Sequence, residues 1–221
     1  SHDFKVKKLI SCLSTCIFPN DTIYPIREEM LHNGAPYKIN EGYGYSKRMV
    51  EVHSRAYKQQ YGDDFICVTP TNIYGENDNY HLINSHVIPA LIHNCYIAKR
   101  DGTHFVVKGT GTPLRQFVYS SDLAKLILLI LDKQDCPDQI ILSPNEDEEV
   151  SIRDVATIIA KEFDYDDMIR FDSNYTDGQI KKTVSNDRLM NLFPDFKFTT
   201  LQEGLHNSVT WFIDNINTIR T

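Results

Sequence analysis

Residues 43 to 70 read YGYSKRMVEVHSRAYKQQYGDDFICVTP, and the two halves of this stretch follow different periods. From Tyr43 to Tyr61 the residues repeat at helical spacing: Tyr43, Val50 and Tyr57 fall close together on a helical wheel, Ala56 is grouped with them, and charges lie opposite. That predicts a helix with those four residues facing inward. Gly62 follows, at the position where helices end by turning left-handed. "FICVTP" (Phe65 to Pro70) is apolar-rich, too short for a helix and closed by proline, and so predicts a buried strand.

Outward from this pair the alternation continues. "KLISCL" (Lys8 to Leu13) predicts a short buried strand before the helix. The segment between them holds Pro19, Pro25, Gly34 and Pro36 and is too broken for regular structure. His86 to Arg100 is helical, with Pro89 in the first turn, where its missing N–H is tolerated. "HFVVK" and "RQFVYS" are strands on either side of "GTGTP"; "SSDLAKLILLILDK" is a helix capped by Ser120 or Ser121, and "QIILS" is another strand. Towards the end, Ser151 with Asp154 and Thr200 with Glu203 have capping-box spacing. Between those two helices lie a strand at "MIRF" and a short helix that starts at Asn186 and ends before Pro194. Strands alternating with helices predict an α/β fold with a doubly wound parallel sheet, whose ligands sit beyond the carboxyl ends of the strands.

Composition narrows the function. A net charge of −7 over 221 residues disfavours a nucleic-acid surface, so an anionic ligand would have to be held by locally placed Arg and Lys. The longest apolar run, "LAKLILLILDK", is too short for a membrane span and carries lysines. The opening "SHDFKVKK" has no secretory-leader pattern. Five cysteines without framework spacing point to a reducing compartment, and the cytoplasm is the expected location.

Two clusters carry chemistry. "SCLSTCIFP" (Ser11 to Pro19) places thiols and hydroxyls at a strand end. Cys12 and Cys16 would lie about 13 Å apart along an extended strand, too far for a disulfide unless the chain bends tightly after Ser14. No Cys-x-x-Cys occurs, so no metal is expected. The thiols are then either buried and inert or reactive. In the second cluster, Tyr43 and Lys47 are four apart on one helical face, where an ammonium stabilises a phenolate and makes tyrosine a usable general acid. Tyr45 has Met49 at the same offset and is the poorer candidate.

A serine at a strand end followed by YxxxK opening a helix resembles the Ser-Tyr-Lys apparatus of the short-chain dehydrogenases. "PTNIYGENDN" (Pro70 to Asn79) is similar to their extended, nucleotide-sugar branch. "STC" (Ser14 to Cys16), "PTNIYG", "NSHVIPALI" (Asn84 to Ile92), "GTGTPLRQF" (Gly109 to Phe117) and "TDGQIKK" (Thr176 to Lys182) together resemble the GDP-L-fucose synthase family.

The resemblance implies NADPH-dependent 3,5-epimerisation and 4-keto reduction of GDP-4-keto-6-deoxy-D-mannose. It implies catalytic roles for Ser14, Tyr43 and Lys47 in reduction and for Cys16 and His86 in epimerisation, with Cys12 left as strand core. It implies NADPH/NADP contacts from Ser14, Tyr43, Lys47, Pro70, Thr71, Asn72, Ile73 and His86. It implies substrate contacts from Asn94, Lys108, Arg115 and Asp177. Asn94 stands where bacterial members usually have a basic residue, and Lys108 where they have tryptophan; Lys108 can restore the charge lost at Asn94. A homodimer, formed through helices that include the Tyr43 helix, is implied as well.

Under the same resemblance, residues 1–83, with returns near 116–143, are the remaining part of a Rossmann-like NAD(P)-binding domain; residues 84–115 and 144–221 form a small α/β lobe for the GDP-sugar. No dinucleotide fingerprint follows any strand: "GTGTPL" lacks the third glycine and enters a strand. The chain is therefore expected to be a fragment lacking the N-terminal third of the family's length, with an apolar edge exposed at Lys8 to Leu13. Two other functions fit less of the pattern. A nucleotide-sugar 4-epimerase or 4,6-dehydratase has no use for the Cys16–His86 pair, and a non-catalytic GDP-sugar-binding fragment would bind GDP without NADPH.

Overall fold

The computed structural model describes residues 1–219. Its elements are β1 (Leu9–Cys12), α1 (Glu41–Tyr61), β2 (Phe65–Pro70), β3 (Asn72–Tyr74), α2 (Val87–Asp101), β4 (Phe105–Lys108), β5 (Leu114–Arg115) and β6 (Phe117–Tyr119). They continue with α3 (Ser120–Asp132), β7 (Gln139–Leu142), β8 (Val150–Ser151), α4 (Ile152–Glu162), β9 (Ile169–Asp172), α5 (Asp187–Leu192) and α6 (Leu201–Asn215). The chain forms two units. The first takes Ser1–Asn72, Ser121–Asp147 and Thr183–Lys197; the second takes Ile73–Ser120, Glu148–Lys182 and the segment from Phe198 onward.

The first unit is built on a parallel sheet of order β1-β2-β7. Every residue of the central strand β2 is buried, as its unbroken apolar run requires. Leu13, Ile17, Phe18, Ile26, Leu31, Cys67, Ile141 and Val184 form a core cluster in this unit. The outer edge of β7 is tied by side chains: buried Glu28 accepts the Ile141 N–H at 2.9 Å, and Arg188 donates to the Gln139 carbonyl at 2.8 Å.

Two expectations fail in this unit. β1 is an edge strand, paired on one side only; Leu9 to Ser11 are half-buried, and Cys12 is exposed rather than strand core. The helix over Tyr43 to Tyr61 is present and ends on Gly62 at φ +74°, but it turns a different face inward. Gly44, Arg48, Glu51 and Ser54 are buried, whereas Tyr43, Ala56 and Tyr57 are exposed and Val50 is half-buried. The inward face is polar because outside the helix it meets a backbone carbonyl and the His32 ring. Arg48 Nε donates to the Ile17 carbonyl at 2.6 Å; Glu51 takes Arg55 at 2.9 Å and His32 at 2.8 Å.

In the second unit β4 pairs with β9 in parallel, β5 with β8 antiparallel, and β3 with β6. Its core gathers Tyr74, Tyr80, Phe105 and Phe212 with the buried faces of α2, α4 and α6. Ser151 and Asp154 form the expected capping box on α4, and Thr200 accepts the Glu203 N–H at the start of α6. No helix among the described residues is long and apolar enough to cross a membrane.

Candidate active site

After β1 the chain does bend. Ser14 is the N-cap of a single 3₁₀ turn, Thr15–Ile17, and its Oγ accepts the Cys16 N–H at 3.3 Å. Ser14 and Cys16 are thereby fixed in one turn just beyond the carboxyl end of the strand. Because Ser14 Oγ accepts there through a lone pair, its own O–H remains available to donate.

The first two turns of α1 hold this turn at four points. Asn40 Nδ2 reaches Cys16 Sγ at 3.1 Å. Gly44 lets the helix approach so closely that an added Cβ would meet the Cys16 carbonyl oxygen at 2.9 Å. Lys47 Nζ donates to the Cys12 carbonyl at 2.9 Å, and Arg48 donates to Ile17 as described. Positions 40, 44, 47 and 48 share one helical face, so a single helix brings all four to one turn of chain. Burial lowers the Arg48 guanidinium from its ordinary range, with Tyr45 beside it opposing the shift. Tyr43 is exposed on the same first turn of α1, with Lys47 Nζ 6.0 Å from its ring centre. The structure thus sets the Ser14–Cys16 turn against the helix that carries Lys47, and Tyr43 lies on the first turn of that helix.

Pro70 and Thr71 lie at the carboxyl end of β2, where the Thr71 N–H bonds the Leu142 carbonyl at the end of β7. Thr71 Oγ1 is buried without a hydrogen-bond partner among the described residues. Asn72 is half-buried and Ile73 exposed at the start of β3.

The other candidates fall in the second unit. His86 is the exposed N-cap of α2, and its carbonyl accepts the Ala90 N–H. Asn94 is exposed on the same helix. Asp177 does structural work: its carboxylate accepts the Thr110 N–H at 3.0 Å and the Thr110 hydroxyl at 2.6 Å, pinning the loop between β4 and β5. That loop turns on Gly109 at φ +90°, where an added Cβ would lie 2.5 Å from Asp177 Oδ1, so the close approach needs glycine. Arg115 Nη1 bonds the Leu114 carbonyl at 2.7 Å, and Nη2 passes 3.8 Å from the place of a Cβ on Gly178. Arg115, Asp177 and Gly178 are therefore neighbours despite their sequence separation. Lys108 Nζ sits 5.0 Å from the Tyr175 ring centre. Among the described residues no group of His, Cys, Asp or Glu could hold a metal ion.

Sequence reasoning missed Asn40, Gly44 and Arg48. Asn40 looked like an ordinary helix start, and nothing in the local pattern says that an arginine turns inward. A usable signal did exist: Gly44 is a glycine inside a helix, where it is unfavourable unless something approaches closely, although Gly42 beside it carries the same signal with nothing near it.

The sequence profile of the "NAD dependent epimerase/dehydratase family" matches residues 1–142. The chain is 50% identical over 218 residues to the GDP-L-fucose synthase of Dictyostelium discoideum, covering 99% of this chain and 68% of that protein. It is 43% identical to the probable GDP-L-fucose synthase of Drosophila melanogaster, covering 100% of this chain and 71% of that one. The crystal structure of a GDP-L-fucose synthetase from Naegleria fowleri bound to NADP superposes with a TM-score of 0.95 at 42% identity, over 100% of this chain and 70% of that one.

Proposed function

Since the chain belongs to the NAD dependent epimerase/dehydratase family, and within it to the GDP-L-fucose synthases, we propose that it acts in the NADPH-dependent conversion of GDP-4-keto-6-deoxy-D-mannose to GDP-L-fucose. The reaction is a 3,5-epimerisation followed by reduction at C4. The observation that carries this reading is the single turn holding Ser14 and Cys16 against α1, the helix that bears Tyr43 and Lys47. A thiol built into the reductase constellation is what an enzyme that epimerises and then reduces requires.

The residues present fit NADP. Lys47, Tyr43 and the strand end at Pro70 to Asn72 offer the ammonium, phenol and backbone that a nicotinamide ribose needs, and Thr71 Oγ1 is buried there with a hydrogen bond to spare. Bound NADPH supplies the hydride. Tyr43 gives its proton to the C4 oxygen, Ser14 donates a hydrogen bond to the same oxygen, and the Lys47 ammonium compensates the phenolate left behind. In epimerisation the same two donors stabilise the enolate oxygen while Cys16 exchanges a proton with carbon; His86, the N-cap of α2, is the residue we assign as the second acid/base. Arg115, on β5 just after the loop pinned by Asp177, pairs with the diphosphate, and Lys108 adds positive charge. Asn94 and Ile73 complete the substrate and cofactor contacts.

Two further parts of the reading concern setting. Among the described residues no two cysteines form a disulfide, in keeping with a cytoplasmic setting. The outward face of α1 exposes Tyr45 and Met49, large side chains suited to the interface of a homodimer.

The deciding experiment incubates the purified enzyme with its ketosugar in deuterated water and reads deuterium at C3 and C5, followed by NADPH consumption. Label at both carbons is expected. Turnover of NADPH without label at either carbon overturns the epimerase assignment and leaves a simple 4-reductase.

A further inference from the structure

Asparagine is among the best N-cap residues, and Asn40 occupies the N-cap of α1, yet its side chain makes no capping bond. Its Nδ2 goes instead to Cys16 Sγ at 3.1 Å. The Oδ1 of the same amide is buried and has no hydrogen-bond partner among the described residues. The amide therefore forgoes the helix end beside it and leaves an acceptor unpaired in order to reach a sulfur, a weak hydrogen-bond acceptor as a thiol but a good one as a thiolate. Both sacrifices run against stability, and the sulfur is what they serve.

We propose that Asn40 is a positioning residue for epimerisation, fixing Cys16 Sγ and donating an N–H to the thiolate before it takes a proton from the sugar. The inference rests on the reading of Cys16 as a reacting group. In that step a C–H bond beside the ketone breaks, an S–H bond forms, and the electron pair passes to the ketone oxygen as an enolate. A proton then returns to carbon from a second acid, and both groups are reset by exchange with solvent. An N–H aimed at the sulfur favours the state that accepts the proton. It also holds the sulfur against the turn that carries Ser14, the donor to the developing enolate oxygen.

The test compares Asn40→Ala, Asn40→Asp and Cys16→Ala in the purified enzyme. Three quantities are read: deuterium uptake at C3 and C5, NADPH consumption with an already epimerised ketone, and the pH profile of Cys16 alkylation by iodoacetamide, followed on the Cys16 peptide by mass spectrometry. Asn40→Ala is expected to slow deuterium uptake by about tenfold or more, to displace the alkylation profile towards alkaline pH, and to reduce NADPH consumption far less. Asn40→Asp keeps the shape of the side chain but buries a charged oxygen that has no partner, so a modest fall in Tm is expected while NADPH consumption with the epimerised ketone is largely kept. Its deuterium uptake should nevertheless fall at least as far, because a carboxylate beside the sulfur opposes the thiolate.

Parental uptake with an unmoved alkylation profile in both Asn40 variants overturns the inference. So does a parallel loss of uptake, NADPH consumption and Tm in both, which would make Asn40 merely structural. If Cys16→Ala keeps parental uptake, the reading of Cys16 itself falls and takes this inference with it; if only the Asn40 variants behave like the parent, that reading stands alone.

Discussion

A β-carbon on Gly44 would lie 2.9 Å from the carbonyl oxygen of Cys16 and 2.8 Å from Cβ of Pro36. Helix propensity alone would make Gly44→Ala stabilising by about 1 kcal/mol. The contact reverses the sign, since forcing a methyl into a closed site costs roughly 1–3 kcal/mol and the helix must move off the turn it clamps. The variant is expected to melt below the parent and to lose both deuterium uptake and NADPH turnover at temperatures where it is still folded. A calorimetric Tm at or above the parent's would show that the approach of α1 is not as close as described.

The two half-reactions should separate by residue. Cys16→Ser is expected to abolish deuterium uptake at C3 and C5 while the enzyme still oxidises NADPH with an already epimerised ketone. Tyr43→Phe removes the proton donor at C4 and should cut that reduction by about 10²–10⁴-fold, the usual worth of a general acid. Stopped-flow absorbance of NADPH and proton NMR of the sugar read the two arms. Equal losses in both arms for both variants would contradict the division of labour.

How much of this was legible in the sequence depended on whether side chains met apolar surface. β2, an unbroken apolar run closed by Pro70, and the Ser151 capping box were readable, because burial and capping leave a local pattern. The existence of α1 was readable, but its orientation was not: its buried face is Gly44, Arg48, Glu51 and Ser54, and an amphipathic pattern cannot reveal a helix held through polar side chains to a carbonyl and a histidine ring. Cys12 was misread because its apolar neighbours suggest core, whereas burial there depends on how many strands flank β1. Tyr43 and Lys47 were visible from spacing alone. Asn40 was not, since its partner lies 24 residues earlier in the chain.

Glu51 should govern an acid limit on stability. Burial by itself would push its carboxyl up, but hydrogen bonds from Arg55 and His32 outweigh that and hold it below the ordinary glutamate range. A carboxyl that is more acidic in the folded chain than in the unfolded one stabilises the fold fully above the ordinary range. That contribution is lost as pH falls through the range towards the folded value. Tm against pH should therefore drop in acid for the parent, and less steeply for Glu51→Gln, which should already be less stable at neutral pH by about 1–3 kcal/mol. Parallel Tm profiles for the two proteins would rule out Glu51 as the titrating group.

The loop pinned by Asp177 makes a binding prediction that does not involve turnover. Asp177→Ala releases both Thr110 bonds, and Gly109→Ala drives a methyl towards the carboxylate at a positive φ. Each is expected to weaken GDP by about tenfold, the equivalent of one lost charge-assisted contact of roughly 1.4 kcal/mol, with Arg115→Ala losing at least as much. Isothermal titration with GDP measures all three. Unchanged affinity in Asp177→Ala would mean that the loop carries no part of the diphosphate site.

The inward face of α1 has a consequence for how the enzyme can change. Apolar faces slide: a leucine stripe shifted by an ångström still buries most of its area. A face fastened by Arg48 to the Ile17 carbonyl and by Glu51 to the His32 ring has no neighbouring position that satisfies the same bonds. Tyr43 is carried on a ratchet with a single tooth, so drift in this helix breaks the alignment outright instead of degrading it by degrees.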